Sequence, residues 1–343
     1  MFQGSTADQV WQQMADAFRQ SAGVRAQASR DGPTKEILHA AITIADPKQR
    51  WVVSREPSLN LPFGLAEVVW SLTGRRDLAF LEFWNSNLSA FVGPGPTLHG
   101  AYGYRLRHHL GLDQLIRAYE ALHHNPDTRQ IVLQIWDSTV DLPYSDGAPV
   151  DPDIPCNVIS LPKVRDGKLQ WLQIIRSNDI FLGVPHDFVQ FTCLQEIIAG
   201  WLGVECGSYN QISDSLHLYS RDEKNVAKSR PLEKVVVNTD SLALPLKESE
   251  LAFRELEQRI ERMIVPELKQ GELERLSCWD GAPQAYRNIL AVLVAEAARR
   301  RGQMETAIGT MSSCTNPVYQ ELWTRWLSRV SLPTSAQRSL KEA

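Results

Sequence analysis

The segment RSNDIFLGVPHD, residues 176–187, joins a strand-like stretch to a long apolar stretch and decides how the chain folds around it. The residues before it, 169–175, read LQWLQII, which is typical of a β-strand. The residues after it, 188–202, form an apolar run long enough for a helix in the core. A strand that ends at an arginine, followed by a turn into a central helix, predicts an α+β fold.

The stretches on either side of this segment favour the same fold class. Further strands are predicted at residues 130–136, 215–219 and 234–237. Helical patterns come earlier in the chain, at residues 7–22, 65–73 and 112–124. This order of elements indicates an α+β chain with a mixed or antiparallel sheet packed with helices.

The composition changes after about residue 245. Helical periodicity with charged outer faces occupies residues 248–269, 284–302 and 316–330. We therefore predict two parts, an α+β domain at residues 1–245 and an α-helical C-terminal extension at residues 246–343.

Charge and cysteine content exclude several classes of protein. The 343 residues include 36 Lys and Arg against 40 Asp and Glu, a net charge of −4, which argues against a coat on nucleic acid or on an anionic membrane. Five cysteines without CxxC spacing argue against a disulfide framework and a zinc site, so no metal is predicted.

The sequence shows neither a signal peptide in its first residues nor an apolar run approaching the roughly 18 residues that span a bilayer. We expect a soluble cytoplasmic protein.

Three short segments carry groups suited to a phosphorylated ligand. Cys156 follows a proline-rich loop and is a candidate nucleophile, or simply a packing residue. Arg176 and Ser177 leave one strand end, where guanidinium donors match phosphate oxygens; a solvated salt bridge is the alternative. His217 and Tyr219 share one face of a strand and either bind a sugar hydroxyl or form a half-buried pair.

The order of these segments resembles the thymidylate synthase family. A cysteine after proline, then Arg-Ser-x-Asp-x-x-Leu-Gly-x-Pro, then Asp-x-His-x-Tyr, follow one another within residues 25–235. Other matching segments contain Arg30, Glu67, Tyr102 and Arg129. The resemblance implies the family's mixed sheet packed with helices and a homodimer.

The resemblance also implies roles for single residues. Cys156 is similar to the nucleophile that adds to C6 of a pyrimidine, Glu67 to the carboxylate that organises water and proton transfer, and Tyr102 to a tyrosine near C5. The residues that resemble the family's phosphate and sugar ligands are Arg30, Arg176, Ser177, His217, Tyr219 and, reaching across from the partner subunit, Arg129.

The same resemblance implies a one-carbon cosubstrate. In this family it is 5,10-methylenetetrahydrofolate, and the residues placed on the folate side are Asp179 and Gly183.

One residue departs from the family in a way that bears on the base. Asp187 stands where the family has a uracil-reading asparagine, and the same change resembles the dCMP and CMP hydroxymethylase branch. A carboxylate accepts a hydrogen bond from the N4 amino group of cytosine, and it favours a protonated N3 after the thiolate has added. A helix N-cap is the alternative role for Asp187.

We therefore expect a C5-hydroxymethyltransferase acting on CMP or dCMP, in which Glu67 positions the water that forms the hydroxymethyl group. One alternative is methyl transfer to dUMP or dCMP. Another is a non-catalytic family member that binds a nucleotide or a protein partner. Ribose and deoxyribose both stay open, because His217 and Tyr219 would serve the 3′-hydroxyl of either sugar.

Overall fold

The computed structural model describes residues 1–93, 95–269 and 271–330. The strands in these ranges are β1 (Phe2–Gly4), β2 (Arg25–Ser29), β3 (Gly32–Ile44), β4 (Leu133–Gln134), β5 (Asn157–Ser160), β6 (Lys163–Arg165), β7 (Lys168–Ile175), β8 (Asn178–Asp179) and β9 (Glu205–Tyr219). The helices are α1 (Ala7–Arg19), α2 (Leu61–Leu72), α3 (Leu78–Glu82), α4 (Ser89–Val92), α5 (Tyr102–Tyr104), α6 (Gln114–His124), α7 (Ser138–Asp141), α8 (Gly183–Leu202), α9 (Glu223–Lys228), α10 (Leu246–Met263), α11 (Glu272–Ser277), α12 (Gln284–Arg300), α13 (Met304–Ser312) and α14 (Pro317–Val330).

The strands form one mixed sheet in the order β1-β3-β9-β7-β5-β4, with β2, β6 and β8 added along β3, β7 and β9. The long strands β3 and β9 pair antiparallel at its centre, whereas β7 and β9 run parallel. Helix α8 packs against β7 and β9 and is buried along most of its length. The predicted α+β fold with a mixed sheet is confirmed.

Two predicted strands differ from the structure. Within residues 130–136 only Leu133–Gln134 is a strand, because the next two backbone N–H groups, of Ile135 and Trp136, both donate to the carbonyl oxygen of Val158 and so end the regular pairing with β5. On the other edge of β4, the side chain of Gln114 bonds both the backbone N–H and the carbonyl oxygen of Gln134. That side chain takes the place of a neighbouring strand. Residues 234–237 are irregular, and Val235 is 82% exposed, so the apolar pattern there does not reflect burial.

The helices after residue 245 pack on α2. Helices α10, α12 and α14 all contact α2. Their buried side chains, including Leu256, Ile289 and Trp326, belong to the same hydrophobic cluster as those of the sheet and α8. The domain boundary at residue 245 stays a prediction, but these helices share a core with the α+β part.

No helix in the described ranges is long and apolar enough to cross a membrane.

Candidate active site

A cavity of about 1210 Å³ opens where β7 ends and α8 begins. Every predicted site residue except Arg129 lines it. Those residues are Arg30, Glu67, Tyr102, Cys156, Arg176, Ser177, Asp179, Gly183, Asp187, His217 and Tyr219. The fold thus brings into one cavity side chains that are separated by up to 189 positions in the sequence.

Pairing of β5 with β7 places Cys156 beside Arg176. Asn157 is opposite Ile175, and the backbone N–H of Arg176 donates to the carbonyl oxygen of Cys156 at 2.9 Å. The Arg176 guanidinium donates to the carbonyl oxygens of Pro155 and Ile154, at 2.9 and 3.1 Å. These bonds hold the guanidinium next to the thiol before any ligand binds.

The thiol of Cys156 is protonated in this environment at neutral pH. Burial raises its pKa to about 11, the positive charge of Arg176 opposes that rise, and the carboxyl groups of Asp187 and Asp153 add to it. Since the thiolate is the nucleophilic form, a nucleophilic role for Cys156 would require a change on ligand binding that favours loss of the proton.

A chain of buried polar side chains fixes the orientation of Asp187. Gln173 accepts bonds at Oε1 from Ser160 (2.6 Å) and Trp171 (3.1 Å). Its Nε2 therefore points to Asn157 and donates to Oδ1 at 2.9 Å. The Nδ2 of Asn157 in turn donates to Oδ1 of Asp187 at 2.9 Å. Because each amide is oriented by the one before it, the atom of residue 187 next to Asn157 must be an acceptor.

Burial also decides the charge of Asp187. Its pKa is raised to about 7, chiefly by burial, while the bond from Asn157 lowers it and the negative charge of Glu67 raises it. At neutral pH the carboxyl group is therefore divided between its protonated and ionised forms. A protonated carboxyl offers a donor and an acceptor, and an ionised one offers acceptors only.

Glu67 and His186 face each other in the cavity wall. Oε2 of Glu67 lies 3.5 Å from Nδ1 of His186, and both atoms are buried without a hydrogen-bond partner among the described residues. Buried polar atoms without partners are costly unless a ligand or water satisfies them. Both residues line the cavity, so a ligand bound there is close to this pair.

Tyr102 reaches the cavity because the backbone behind it approaches α2 closely. A Cβ at Gly103 would lie 2.0 Å from the carbonyl oxygen of Ser71, so only glycine fits there. Burial raises the pKa of the Tyr102 hydroxyl well above its usual value, and the charges of Cys156 and Asp187 act in the same direction. The hydroxyl therefore stays protonated and serves as a hydrogen-bond donor.

His217 and Tyr219 lie together at the end of β9, with ring centroids 5.3 Å apart in an edge-to-face arrangement. Burial lowers the pKa of His217, so its ring is neutral at pH 7. Asp179 pairs with His217 in the parallel β8–β9 ladder and accepts from the N–H of Phe181 at 2.8 Å. Burial raises the pKa of Asp179 to about 6.

Two predicted phosphate ligands sit at the edges of the site. Arg30 is exposed in the β2–β3 turn, donates to the carbonyl oxygen of Pro152 at 3.4 Å and forms an ion pair with Asp31. Arg129 is exposed and does not line the cavity. The role of Arg129 across a subunit interface stays a prediction.

Sequence reasoning missed several lining or supporting residues. Asn157 and His186 are neighbours of Cys156 and Asp187, and that adjacency was the available signal. Gln173 carried no signal, because its role depends on contacts across the sheet. The cavity is also lined by side chains from elsewhere in the chain: Arg55, Trp84, Arg299, Arg300, Trp326 and Arg329.

Among the described residues, no group of three or more His, Cys, Asp or Glu side chains is arranged to hold a metal ion.

Comparison with known proteins gives matches over most of the chain. The family model described as Thymidylate synthase matches residues 24–258. A deoxyuridylate hydroxymethyltransferase of Bacillus phage SP01 is 34% identical over 267 residues, which cover 74% of this chain and 67% of that protein. A protein of the same name from Pseudomonas phage M6 is 34% identical over 219 residues, 63% of this chain and 60% of the relative.

A thymidylate synthase of Vesicomyosocius okutanii subsp. Calyptogena okutanii (strain HA) is 28% identical over 182 residues, which cover 49% of this chain and 63% of the relative. The chain thus spans about two thirds of the length of these relatives or somewhat less. The family match and the geometry of the cavity agree with the resemblance found in the sequence: the chain belongs to the thymidylate synthase family of one-carbon transferases that act on pyrimidine nucleotides.

Proposed function

We propose that this protein is a C5-hydroxymethyltransferase acting on CMP or dCMP, with 5,10-methylenetetrahydrofolate as cosubstrate. The observation that carries the proposal is one cavity that holds a buried cysteine, an oriented carboxyl group at the base-reading position, and a Glu–His pair with free polar atoms. Relatives named deoxyuridylate hydroxymethyltransferase support the hydroxymethyl product.

The cavity fits a nucleotide together with a second ligand. Its volume of about 1210 Å³ exceeds the roughly 300–1,000 Å³ typical of a site for one small molecule. Apolar side chains of Leu59, Phe63 and Trp84 line one part of it, as a flat ring system requires. The indole Nε1 of Trp84 is buried without a partner among the described residues and is free to donate to a ligand.

Attack on the base begins at Cys156. The thiol gives up its proton as the sulfur bonds to C6 of the pyrimidine, the C5–C6 electron pair shifts toward C4 and N3, and N3 takes up a proton that Asp187 holds there. Oδ1 of Asp187 accepts one bond from Asn157 and keeps a second lone pair for the base, and Oδ2 is the oxygen proposed to hold the proton. A carboxyl group whose pKa is about 7 shares a proton readily with a ring nitrogen at neutral pH.

The product depends on what adds to the exocyclic carbon. Bound methylenetetrahydrofolate would supply the one-carbon unit that is joined to C5, and loss of the C5 proton and of tetrahydrofolate leaves an exocyclic methylene on the base. As an oxygen or a hydride adds to that carbon, the sulfur of Cys156 leaves C6 and the C5–C6 double bond is restored. Glu67, whose Oε2 lies 3.5 Å from Nδ1 of His186, is the candidate to bind a water molecule from the cavity and to take its proton as the oxygen adds to that carbon. Water addition gives a hydroxymethyl group, whereas hydride addition would give a methyl group.

Deoxyuridylate is the second candidate substrate, and two observations favour it. Relatives 34% identical to this chain are named for deoxyuridylate. Moreover, protonated Asp187 offers one donor and one acceptor, as the asparagine amide of the family does, and so it is also complementary to the O4 and N3–H of uracil.

Tritium release from 5-tritiated nucleotides separates these functions. CMP, dCMP and dUMP are each incubated with the protein and methylenetetrahydrofolate, and the product mass is measured. Release from CMP or dCMP with a hydroxymethyl product supports the proposal, and release from dUMP alone refutes the cytosine assignment. Tight nucleotide binding without release from any of the three indicates a non-catalytic family member. The control is Cys156→Ala, which removes the nucleophile.

We also propose that the protein acts as a homodimer in which Arg129 binds the phosphate in the partner's cavity. Its exposed position outside the cavity of its own subunit supports this arrangement. Inactive Cys156→Ala and Arg129→Gln variants are mixed and allowed to exchange subunits. Regained activity is expected, because one of the two sites in the mixed dimer has both wild-type residues. Failure to regain activity in a proven mixed dimer refutes a role across the interface.

A further inference from the structure

The C-terminal helices contribute a wall to the catalytic cavity. Arg299 and Arg300 at the end of α12, and Trp326 and Arg329 on α14, line the same cavity as Cys156. The family match ends at residue 258, so these four side chains lie in a part of the chain that the match does not cover.

Helix α14 is held on the segment before α2 by two arginines. Arg325 forms an ion pair with Glu56 at 2.7 Å and donates to the carbonyl oxygen of Arg55 at 3.1 Å. One turn later, Arg329 donates to the carbonyl oxygen of Ser58 at 2.8 Å. This docking places the Arg329 guanidinium beside that of Arg55.

The charges of the two α12 arginines are largely compensated. Both form ion pairs with the buried carboxylate of Glu296, Arg299 at 2.8 Å and Arg300 at 2.7 Å. Glu296 also accepts from the indole of Trp326 at 3.1 Å. These contacts form a charge-compensated cluster that supports the cavity wall. Its members are Glu296, Arg299, Arg300 and Trp326.

Arg55 and Arg329 are different, because neither forms an ion pair with a carboxylate in the described part of the chain. The 4% exposed Arg55 donates to the carbonyl oxygens of Phe181 and Pro57 and stacks on the Phe181 ring, 3.8 Å from its centroid. Arg329 lies over the ring of Trp326, 5.3 Å from its centroid. Two adjacent cations in a cavity wall, without paired anions, are electrostatically unfavourable until an anion binds.

The pKa values of Arg55 and Arg329 are both lowered, as expected for buried cations that lie close together. Burial and the positive charge of Arg329 together lower the pKa of Arg55 to about 9, against the opposing charges of Asp179, Asp222 and Glu56. Burial likewise lowers the pKa of Arg329. A bound anion would restore both values toward those of an ordinary guanidinium.

We propose that Arg55 and Arg329 form a second anion subsite of the cavity, completed by the C-terminal helix α14, that binds a carboxylate of the folate cosubstrate. Planar guanidinium groups match carboxylate oxygens, and the aromatic and apolar side chains nearby match the uncharged part of such a ligand. The nucleotide phosphate is assigned to other arginines, at the β2–β3 turn and the end of β7. This inference rests on the proposed function for the identity of the ligand.

Binding of folic acid is compared with binding of pteroic acid, which has the same ring system without the glutamate. Both are titrated calorimetrically into the full chain, with and without dCMP. The wild type is expected to bind folic acid at least about tenfold more tightly, equivalent to ~1.4 kcal/mol. Arg329→Gln is expected to lose most of that preference while its affinity for pteroic acid is unchanged. Arg329→Lys, which keeps the charge, retains part of the preference.

Arg287→Gln is the matched control, because Arg287 is an exposed arginine of α12 that does not line this cavity. Equal affinity of the wild type for both compounds, or no measurable binding of folic acid, overturns the subsite. An equal loss of both ligands in Arg329→Gln also overturns it. If no nucleotide releases tritium but the preference for folic acid depends on Arg329, the subsite stands and the proposed reaction fails.

Discussion

Asp187→Asn tests the conclusion that burial, rather than a paired charge, controls the carboxyl group at the base-reading position. The amide replaces the carboxyl at nearly equal volume, and its oxygen still accepts from Asn157, whose orientation is fixed by Gln173. The variant therefore removes the titration of residue 187 while the buried hydrogen-bond chain is retained.

The size of the effect follows from the pKa. Folding raises the pKa of Asp187 from 3.8 to about 7. The folded state thus holds the proton more tightly than the unfolded state, and the free energy of unfolding falls as pH rises from about 4 to about 7. At about 1.4 kcal/mol per pKa unit, the full penalty is ~4 kcal/mol, of which ~2.5 kcal/mol develops between pH 5 and pH 8.

The assay is urea denaturation of wild type and Asp187→Asn at pH 5 and pH 8. The difference in the free energy of unfolding, variant minus wild type, is expected to be more positive at pH 8 by about 2.5 kcal/mol. Comparing the same two proteins at both pH values cancels any pH-independent effect of the substitution. Asp280→Asn, at an exposed carboxylate, is the control and should show no such change.

If the difference in the free energy of unfolding does not change between pH 5 and pH 8, the argument is refuted, because Asp187 would then titrate alike in the folded and unfolded chain.

The Asp187→Asn variant also tests which base the protein prefers. Its fixed amide should shift tritium release toward dUMP and away from dCMP, and an unchanged preference would contradict the assignment of base reading to Asp187.

Three further substitutions test other parts of the site and its support. Cys156→Ala should abolish tritium release while nucleotide affinity measured by calorimetry is kept; remaining release would assign the nucleophile elsewhere. Gln173→Leu should lower the free energy of unfolding by about 1–3 kcal/mol in urea denaturation, because it leaves buried donors and the Asn157 oxygen without partners; an unchanged midpoint would argue against the hydrogen-bond chain. Asp141→Asn should cost about 3–5 kcal/mol, since it breaks the buried ion pair with Arg105 at 2.6 Å; a thermal midpoint equal to that of the wild type would disprove this.

The local pattern of apolar residues was sufficient to predict the main strand and the main helix around the site. The predicted strand at residues 169–175 lies within β7, and the predicted helix at residues 188–202 lies within α8. Both are regular because alternation and long apolar runs are imposed by burial against neighbouring layers. The length of the strand at residues 130–136 was overestimated, since the length over which an apolar stretch pairs depends on the neighbouring strand, here β5, whose Val158 carbonyl receives two successive N–H groups.

The candidate site likewise contains residues that the sequence identified and contacts that it could not show. Cys156, the Arg176–Ser177 pair and the His217–Tyr219 pair could be found from the sequence, because each lies in a short motif whose residue types carry the chemistry. The contact between Asn157 and Asp187 could not, because it joins two elements 30 positions apart and depends on a third, β7.

The sequence by itself therefore determined the fold class, the family and the candidate reactive side chains of this protein. Only the tertiary structure decided the protonation of Asp187 and the unpaired charges of Arg55 and Arg329. The physical reason is that a group's charge state depends on how far folding removes it from water and on which distant groups surround it. Neither quantity is present in the order of residues along the chain.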